Sequence, residues 1–287
     1  MYVIPDRANG LTSERQIAIF REGLQRKLET PKPDPNDGLD IPDAVLLVRV
    51  EPSKTRVLFS GKEKSGWKLV TICSWINGKP ENYRNKKCNG WKEVLGFVLE
   101  ELQKLRESWG VWDRVFIEFF LPIDFLNEPF YDEHFRKEEI GYCLGEDFVV
   151  LVRSSEMNAE EDLKRYWEQV EKQYDESIDQ IIWEHDLKGN CPDERLHCVF
   201  KENCLGERVS VLFLHGLPQE SCVVMRHIVA SQIPIAIWWQ EDHGASLSFE
   251  GTLGQLPWKV KEKRKNNRGI ILYWNDPSRL FPKKKFV

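Results

Sequence analysis

The stretch "VLFLHGLPQESC", residues 211 to 222, ends an apolar run in His215 and follows it at once with Gln219-Glu220-Ser221-Cys222. An imidazole and a thiol in that order suggest nucleophilic hydrolysis, in which the histidine takes the proton of the cysteine. The chemistry needs the thiolate within hydrogen-bond reach of the ring, with each group presented at the end of its own strand. In caspase-type sites the histidine precedes the cysteine by about 50 residues. Here a short turn separates His215 from Cys222 and leads straight into a helix. Cys222 falls in the first turn of that helix, where the dipole lowers a thiol pKa. A cysteine protease using His215 and Cys222 is therefore the alternative reading, and a strand-to-helix turn is the leading one.

Other reactive side chains group more loosely. Cys191, His197, Cys198 and Cys204 lie close together, but no pair has the C-x(2-4)-C spacing of a tetrahedral zinc site. The seven cysteines are an odd number in a chain large enough to fold without staples, which suits a reducing compartment and buried thiols. Glu241, Asp242 and His243 are adjacent, so they cannot all face one point, and a surface turn is expected. No Gly-x(4)-Gly-Lys-Ser/Thr and no Gly-x-Gly-x-x-Gly stretch is present to cradle a phosphate. Glu118 and Arg153 each interrupt an apolar strand pattern. A buried charge requires a partner, so the two are expected to pair with each other.

The elements that must position these groups follow from hydrophobic period. Ser13 and Gln16 are spaced as a capping box, and Ile17, Phe20, Leu24 and Leu28 share one helical face. "TPKPDPNDG" (30 to 38), with three prolines, then acts as a linker. This divides the chain into a helix and linker over 1–38 and an α/β domain over 39–287. Within the domain, "AVLLVRVEP", "RVLFSG" and "WKLVTICSWIN" predict an antiparallel meander. Trp91, Leu95, Val98, Leu99, Leu102 and Leu105 stripe a helix over about 91–107, and residues 159–183 predict one long acid-rich helix. Strands are predicted at "RVFIEFFLP", "FVVLVRS", "VSVLFLHG", "IPIAIWW" and "GIILYW", with a helix from about Gln219 to Ser231. The fold class is α/β: an N-terminal antiparallel meander leading into a mixed sheet covered by helices, preceded by a separate N-terminal helix.

That order also resembles ribonuclease H-like folds, which hold divalent metal between carboxylates of the first and fourth strands. The interior of the first strand has no acid, Glu51 lies at its end, and Glu118 is inside the fourth, so a metal nuclease would lack its anchor. Composition excludes further classes. No apolar run reaches the roughly 18 residues that span a bilayer, and the first residues have no cationic region followed by an apolar segment. A cytoplasmic location without membrane partners is expected. Net charge is −5, with basic clusters at "KVKEKRKNNR" and "PKKK" that lack interleaved aromatics. They predict a solvated loop and tail, and nucleic acid is not an expected partner.

"IEFFLPIDFLNEPFYDEHF", "LGEDFVVLVRSSEM", "IPIAIWW", "LPWKVKEKR" and "ILYWNDPSRLFP" together resemble the C-terminal domain of the vWA-MoxR associated proteins (VMAP-C) of prokaryotic conflict systems. The similarity runs from about residue 43 to residue 282. It carries the family's Glu-x-x-Leu-Pro onto Glu118, Leu121 and Pro122, and its aspartate onto Asp132. The strand-ending Arg-Ser-x-Glu falls on Arg153 and Glu156, and Pro-Ile-Ala-x-Trp on Pro234, Ala236 and Trp238. The closing motif falls on Trp274, Asp276, Pro277, Arg279, Leu280 and Pro282. The chain departs from the pattern at Phe135 for a tryptophan, Met157 for a second arginine, Asn275 for an aspartate, and an inserted Phe281.

The resemblance implies a bacterial antiviral component that works beside a MoxR-type AAA+ ATPase and a von Willebrand A protein and transmits invader detection to a protease-like effector. It implies no catalytic residue, cofactor or metal. Glu118, Arg153, Glu156, Trp238, Trp274, Asp276 and Arg279 are then structural or interaction residues. In "YWNDPSRL", Trp274 is expected to bury beside its strand and Asp276 to pair with Arg279 across a Pro-fixed turn, locking the segment onto the body; the alternative is that Arg279 presents a carboxylate-binding surface to a partner.

Overall fold

A computed structural model describes residues 44–52, 68–76, 79–109, 115–126, 144–156, 161–187, 198–200, 202, 211–215, 221–239, 248–266 and 269–277. The predicted N-terminal helix and linker, the "RVLFSG" strand, Asp132, Cys191, His197, Cys204, residues 240–246, Arg279 and the "PKKK" tail lie outside the described residues.

Among the described residues nine strands form one sheet: β1 (Ala44–Pro52), β2 (Lys68–Ile76), β3 (Lys79–Cys88), β4 (Val115–Leu121), β5 (Val149–Ser154), β6 (Ile182–Asp186), β7 (Val211–His215), β8 (Ile235–Trp239) and β9 (Ile270–Trp274). Their order is β3-β2-β1-β4-β5-β9-β8-β7-β6. β1, β2 and β3 pair antiparallel as the expected meander. β4 and β5 continue parallel to β1, and β9 runs parallel to β5. β8 is antiparallel to β9, and β7 and β6 run parallel to β8. β9, last in sequence, thus joins two half-sheets of opposite direction.

Both faces are covered, which is why the central strands read as continuous apolar runs rather than alternating ones. One face carries α1 (Trp91–Trp109) and, further along the chain, the helix Ser221–Ala230. Val94, Val98 and Leu102 of α1 meet Leu46, Val48 and Ile72, while Val224, Met225 and Ile228 extend the same core toward Trp238 and Tyr273. Of the helices whose bounds are described, those between these two in sequence are α2 (Leu144–Asp147), α3 (Glu161–Lys172) and α4 (Ile178–Ile181), so Ser221–Ala230 is α5 and Leu256–Arg264 is α6. The opposite face is covered by Trp167 and Val170 of α3, Ile178 and Ile181 of α4, and Leu256 and Val260 of α6. No helix among the described residues is long and apolar enough to cross a membrane.

Three elements differ from their sequence expectation. The stripe from Trp167 to Ile181 is two helices separated by a turn, and Ile182–Asp186 is a strand rather than helix. The cause is tertiary: Ile178 N–H donates to the Gly251 carbonyl at 3.0 Å, and Gly254 N–H to the Tyr174 carbonyl at 2.9 Å, so the turn is drawn onto the loop before α6. Gly254 is required there, because a Cβ would come within 2.2 Å of the Tyr174 ring. β3, "KPENYRNKKC", has no apolar alternation to mark it and is a strand because it pairs with β2 from Lys68↔Cys88 to Ile76↔Lys79.

The third correction concerns "KVKEKRKNNR". Its first part is not a solvated loop but the end of α6, and Arg264 within it is buried. Leu256, Val260 and Arg264 recur every four residues and so share the helix face turned to the sheet.

Candidate functional site

The carboxyl ends of β1, β4, β5 and β9 gather at one edge of the sheet, and the strand direction reverses between β9 and β8. Such switch points are where open α/β sheets place their functional groups. The seam between β5 and β9 is also the thinnest joint in the sheet, a single register pair, Val152↔Tyr273, against six between β4 and β5. Side chains therefore supply what the ladder omits.

Arg153, the penultimate residue of β5, does this at the carboxyl edge. Its Nη1 donates to Glu118 Oε2 at 3.4 Å, and its Nη2 donates to Asn275 Oδ1 at 3.5 Å and to the Asp276 carbonyl. The guanidinium lies 4.9 Å from the centre of the Phe120 ring. Side chains of Arg153 and Glu118 are 2% and 1% exposed, so the expected pair forms in a dry setting. One residue thus ties β4, β5 and the turn after β9 together, the geometry a planar fork of donors makes possible. Glu156, in the turn after β5, accepts from Ile123 N–H at 3.3 Å and so holds the short 3-10 turn Ile123–Phe125 that follows β4. Arg226 of α5 pairs with Asp124 of that turn at 3.3 Å, on the surface.

The remaining residues of the site are packing groups. Trp238 is fully buried and lies tilted against Tyr273, centroids 6.4 Å apart. Trp274 is buried beside its strand as expected, edge-on to Trp167 of α3 at 5.6 Å, while the expected Asp276–Arg279 pair includes a residue outside the described ones. Asp276 and Asn275 are buried. Tyr273 Oη, Trp274 Nε1 and Asn275 Nδ2 are buried with no hydrogen-bond partner among the described residues, all three on consecutive residues at the seam. Burial pushes the Tyr273 phenol above its usual pKa, with the nearby Arg153 acting in the opposite direction.

Sequence reasoning missed Arg264, which stitches the other end of the same seam. Its Nε donates to the Ile270 carbonyl of β9 at 2.9 Å and its Nη1 to the Val150 carbonyl of β5 at 3.1 Å. The signal available was its four-residue spacing from Val260 and Leu256.

These contacts decide what the site can do. The in-register neighbour of Glu118 on β1 is Leu47, not an acid. Glu51, four residues along β1 and thus about 13 Å away at strand rise, is half-exposed and paired with Arg49 at 2.9 Å. A carboxylate neutralised by an arginine, with no second acid beside it among the described residues, is a poor ligand set for two-metal hydrolysis. His215 is elsewhere: β7 opposes β9, so the carboxyl end of β7 lies at the opposite edge of the sheet from Arg153. Its Nε2 lies 3.3 Å from Glu184 Oε2 of β6, and its ring packs on Phe213 at 4.3 Å. Cys222 is the second residue of α5, and its side chain is outside the described residues.

Of the described thiols, Cys73 and Cys88 are buried and Cys198 is exposed. Burial pushes the Cys73 thiol up to about 12, against a smaller opposing hydrogen bond from Trp75. Because the folded pKa exceeds the unfolded one, this thiol favours the native state below about pH 9, an advantage lost as pH rises from 9 toward 12. We expect Cys198 to be alkylated by iodoacetamide at pH 8 while Cys73 and Cys88 react only on unfolding, as read by peptide mass spectrometry. Native labelling of Cys73 at the rate of Cys198 would contradict its burial.

The family model described as vWA-MoxR associated protein C-terminal domain matches residues 69–277. No curated protein and no solved structure matches the chain.

Proposed function

Because the chain belongs to the vWA-MoxR associated protein C-terminal domain family, we infer that it is a non-catalytic sensor or adaptor of a prokaryotic antiviral system. On this reading it works beside a MoxR-type AAA+ ATPase and a von Willebrand A protein and passes invader detection to an effector such as a protease. The observation that carries the reading is the engagement of Arg153. Two of the charged residues by which the chain resembles its family, Glu118 and Arg153, neutralise each other and hold strands together instead of meeting solvent. Residues used this way build a rigid body that displays surfaces, which is what an adaptor requires.

A hydrolase is the second reading, and one contact favours it, since Glu184 could orient the His215 imidazole as the third member of a Cys/His/acid set. Both side chains are substantially solvent-exposed, at 23% for His215 and 51% for Glu184, so water competes for that contact.

One experiment separates the two. Full-length tagged chain, expressed with its coding neighbours in a host challenged by phage, is expected to retain an ATPase or protease partner on affinity resin, and Cys222→Ala is expected to protect as well as wild type. Loss of protection by a normally folded Cys222→Ala protein would establish the hydrolase. Absence of any retained partner, with protection intact, would remove the adaptor.

A further inference from the structure

The sheet ends in β3, and β3 is unusual for an edge. It is ten residues long, the longest strand in the sheet, and every residue from Pro80 to Lys87 is exposed. Among the described residues it pairs on one side, with β2. Edge strands are commonly protected by being short, bulged, covered or charged, because a row of unpaired N–H and C=O groups is a template for another strand, and the protection β3 carries is its charge, with Pro80 at one end. The register irregularity at Ser74/Trp75 falls at one end, opposite Pro80, and leaves the ladder from Asn82 to Cys88 regular.

The strand is also held in place. Lys86 Nζ reaches Glu100 of α1 at 3.5 Å and lies 5.2 Å over the Phe97 ring, and Arg84 reaches the buried Glu101 at 3.7 Å. These contacts fix one face of β3 on α1. The other face carries Tyr83, Asn85 and Lys87, which stand opposite Cys73, Thr71 and Leu69 of β2. Tyr83 and Leu69, at 37% and 38%, are the exposed large hydrophobic residues of the described structure, and both lie on this face at this edge.

Charge selects what can add there. "KPENYRNKKC" has four basic residues and one acid, so a second copy of β3 would set lysine and arginine against themselves, and like charges directly opposite destabilise a strand pair. We propose that the outer edge of β3 receives an extended acidic segment of a partner protein as a tenth strand, with carboxylates opposite Arg84 and Lys86 on one face and an apolar side chain on Tyr83 on the other. Main-chain bonds would supply affinity, and the alternate side chains specificity. This gives the adaptor reading a docking surface and rests on it.

A fluorescent ten-residue peptide alternating glutamate and valine is the probe, titrated into the full-length chain and followed by anisotropy. We expect saturable binding that weakens with salt and is abolished when alternate peptide nitrogens are methylated, because methylation removes the ladder donors. Tyr83→Ser with Lys87→Glu, both exposed positions, should weaken it by about tenfold or more while leaving the circular dichroism spectrum unchanged. Equal binding of the methylated peptide, no binding of the parent peptide, or tighter binding of a single-stranded oligonucleotide through the same residues would each overturn the proposal. The two readings fail separately. A natural partner retained equally by wild type and by the β3 variant removes the edge and keeps the adaptor, whereas a wild-type chain that retains no partner removes the adaptor while the peptide titration still judges the edge.

Discussion

Replacing Glu118 by alanine is expected to lower the unfolding free energy by roughly 3 to 5 kcal/mol, the usual cost of stranding a buried charge. The magnitude follows from the exposure of the pair, 1% for Glu118 and 2% for Arg153, which leaves the orphaned guanidinium no route to water without opening the sheet. The cost should not be symmetrical. Removing Arg153 strips Glu118 of its cation and also frees Asn275 and the Asp276 carbonyl. Arg153→Met should therefore destabilise at least as much as Glu118→Ala. The double variant Glu118→Leu/Arg153→Met is expected to recover part of the loss, since an apolar pair removes both desolvation penalties, but not the part that comes from the turn after β9. Urea unfolding of the wild type, Glu118→Leu, Arg153→Met and the double variant closes the cycle. A coupling energy near zero would mean that the pair is not the tie between β4 and β5 that its geometry suggests.

How much of this was legible in the sequence depended on the kind of burial. Strands covered on both faces announced themselves as unbroken apolar runs, so β4, β5, β7, β8 and β9 were placed within a residue or two of their observed limits. The two charges inside such runs, Glu118 and Arg153, stood out for the same reason. What the sequence could not display was the identity of strand neighbours. β9 closes the gap between β5 and β8 from the far end of the chain, and no local pattern encodes a contact between residues 153 and 275. β3 was illegible because an exposed edge strand buries almost nothing and needs no apolar period. The turn at 173–177 was hidden by a stripe that suits one helix or two, and its position was set by hydrogen bonds to Gly251 and Gly254, about eighty residues away along the chain. Among the site residues, Trp238 and Trp274 were legible as core, whereas Asn275, read as a departure from the family pattern, proved to be a ligand of the Arg153 guanidinium.

The same reasoning makes Arg264 the second large effect. Six cationic residues crowd "KVKEKRKNNR", and a charge run of this kind is ordinarily a wet face. Among the described ones Arg264 alone is buried, 2% exposed, with its donors on the carbonyls of Val150 and Ile270 where β5 and β9 do not pair. Arg264→Met preserves the length and apolar stem of the side chain but leaves those two carbonyls without their donor, each worth about 1 to 3 kcal/mol when buried. A loss of roughly 2 to 5 kcal/mol is expected. Lys265→Met, one residue on and exposed, should change stability by less than about 0.5 kcal/mol. Arg264→Lys is the sharper comparison: it retains the charge, yet a single ammonium on a flexible stem cannot reproduce a planar fork that spans two strands, so it should recover less than half the loss. Amide exchange supplies the location, because the protons of β9 and β5 should exchange faster in the variant while those of β1 and β2 do not. If Arg264→Met unfolds at the same urea concentration as Lys265→Met, the guanidinium is a passenger, and the seam is held by Arg153 and the apolar contacts of Tyr273 and Trp274 alone.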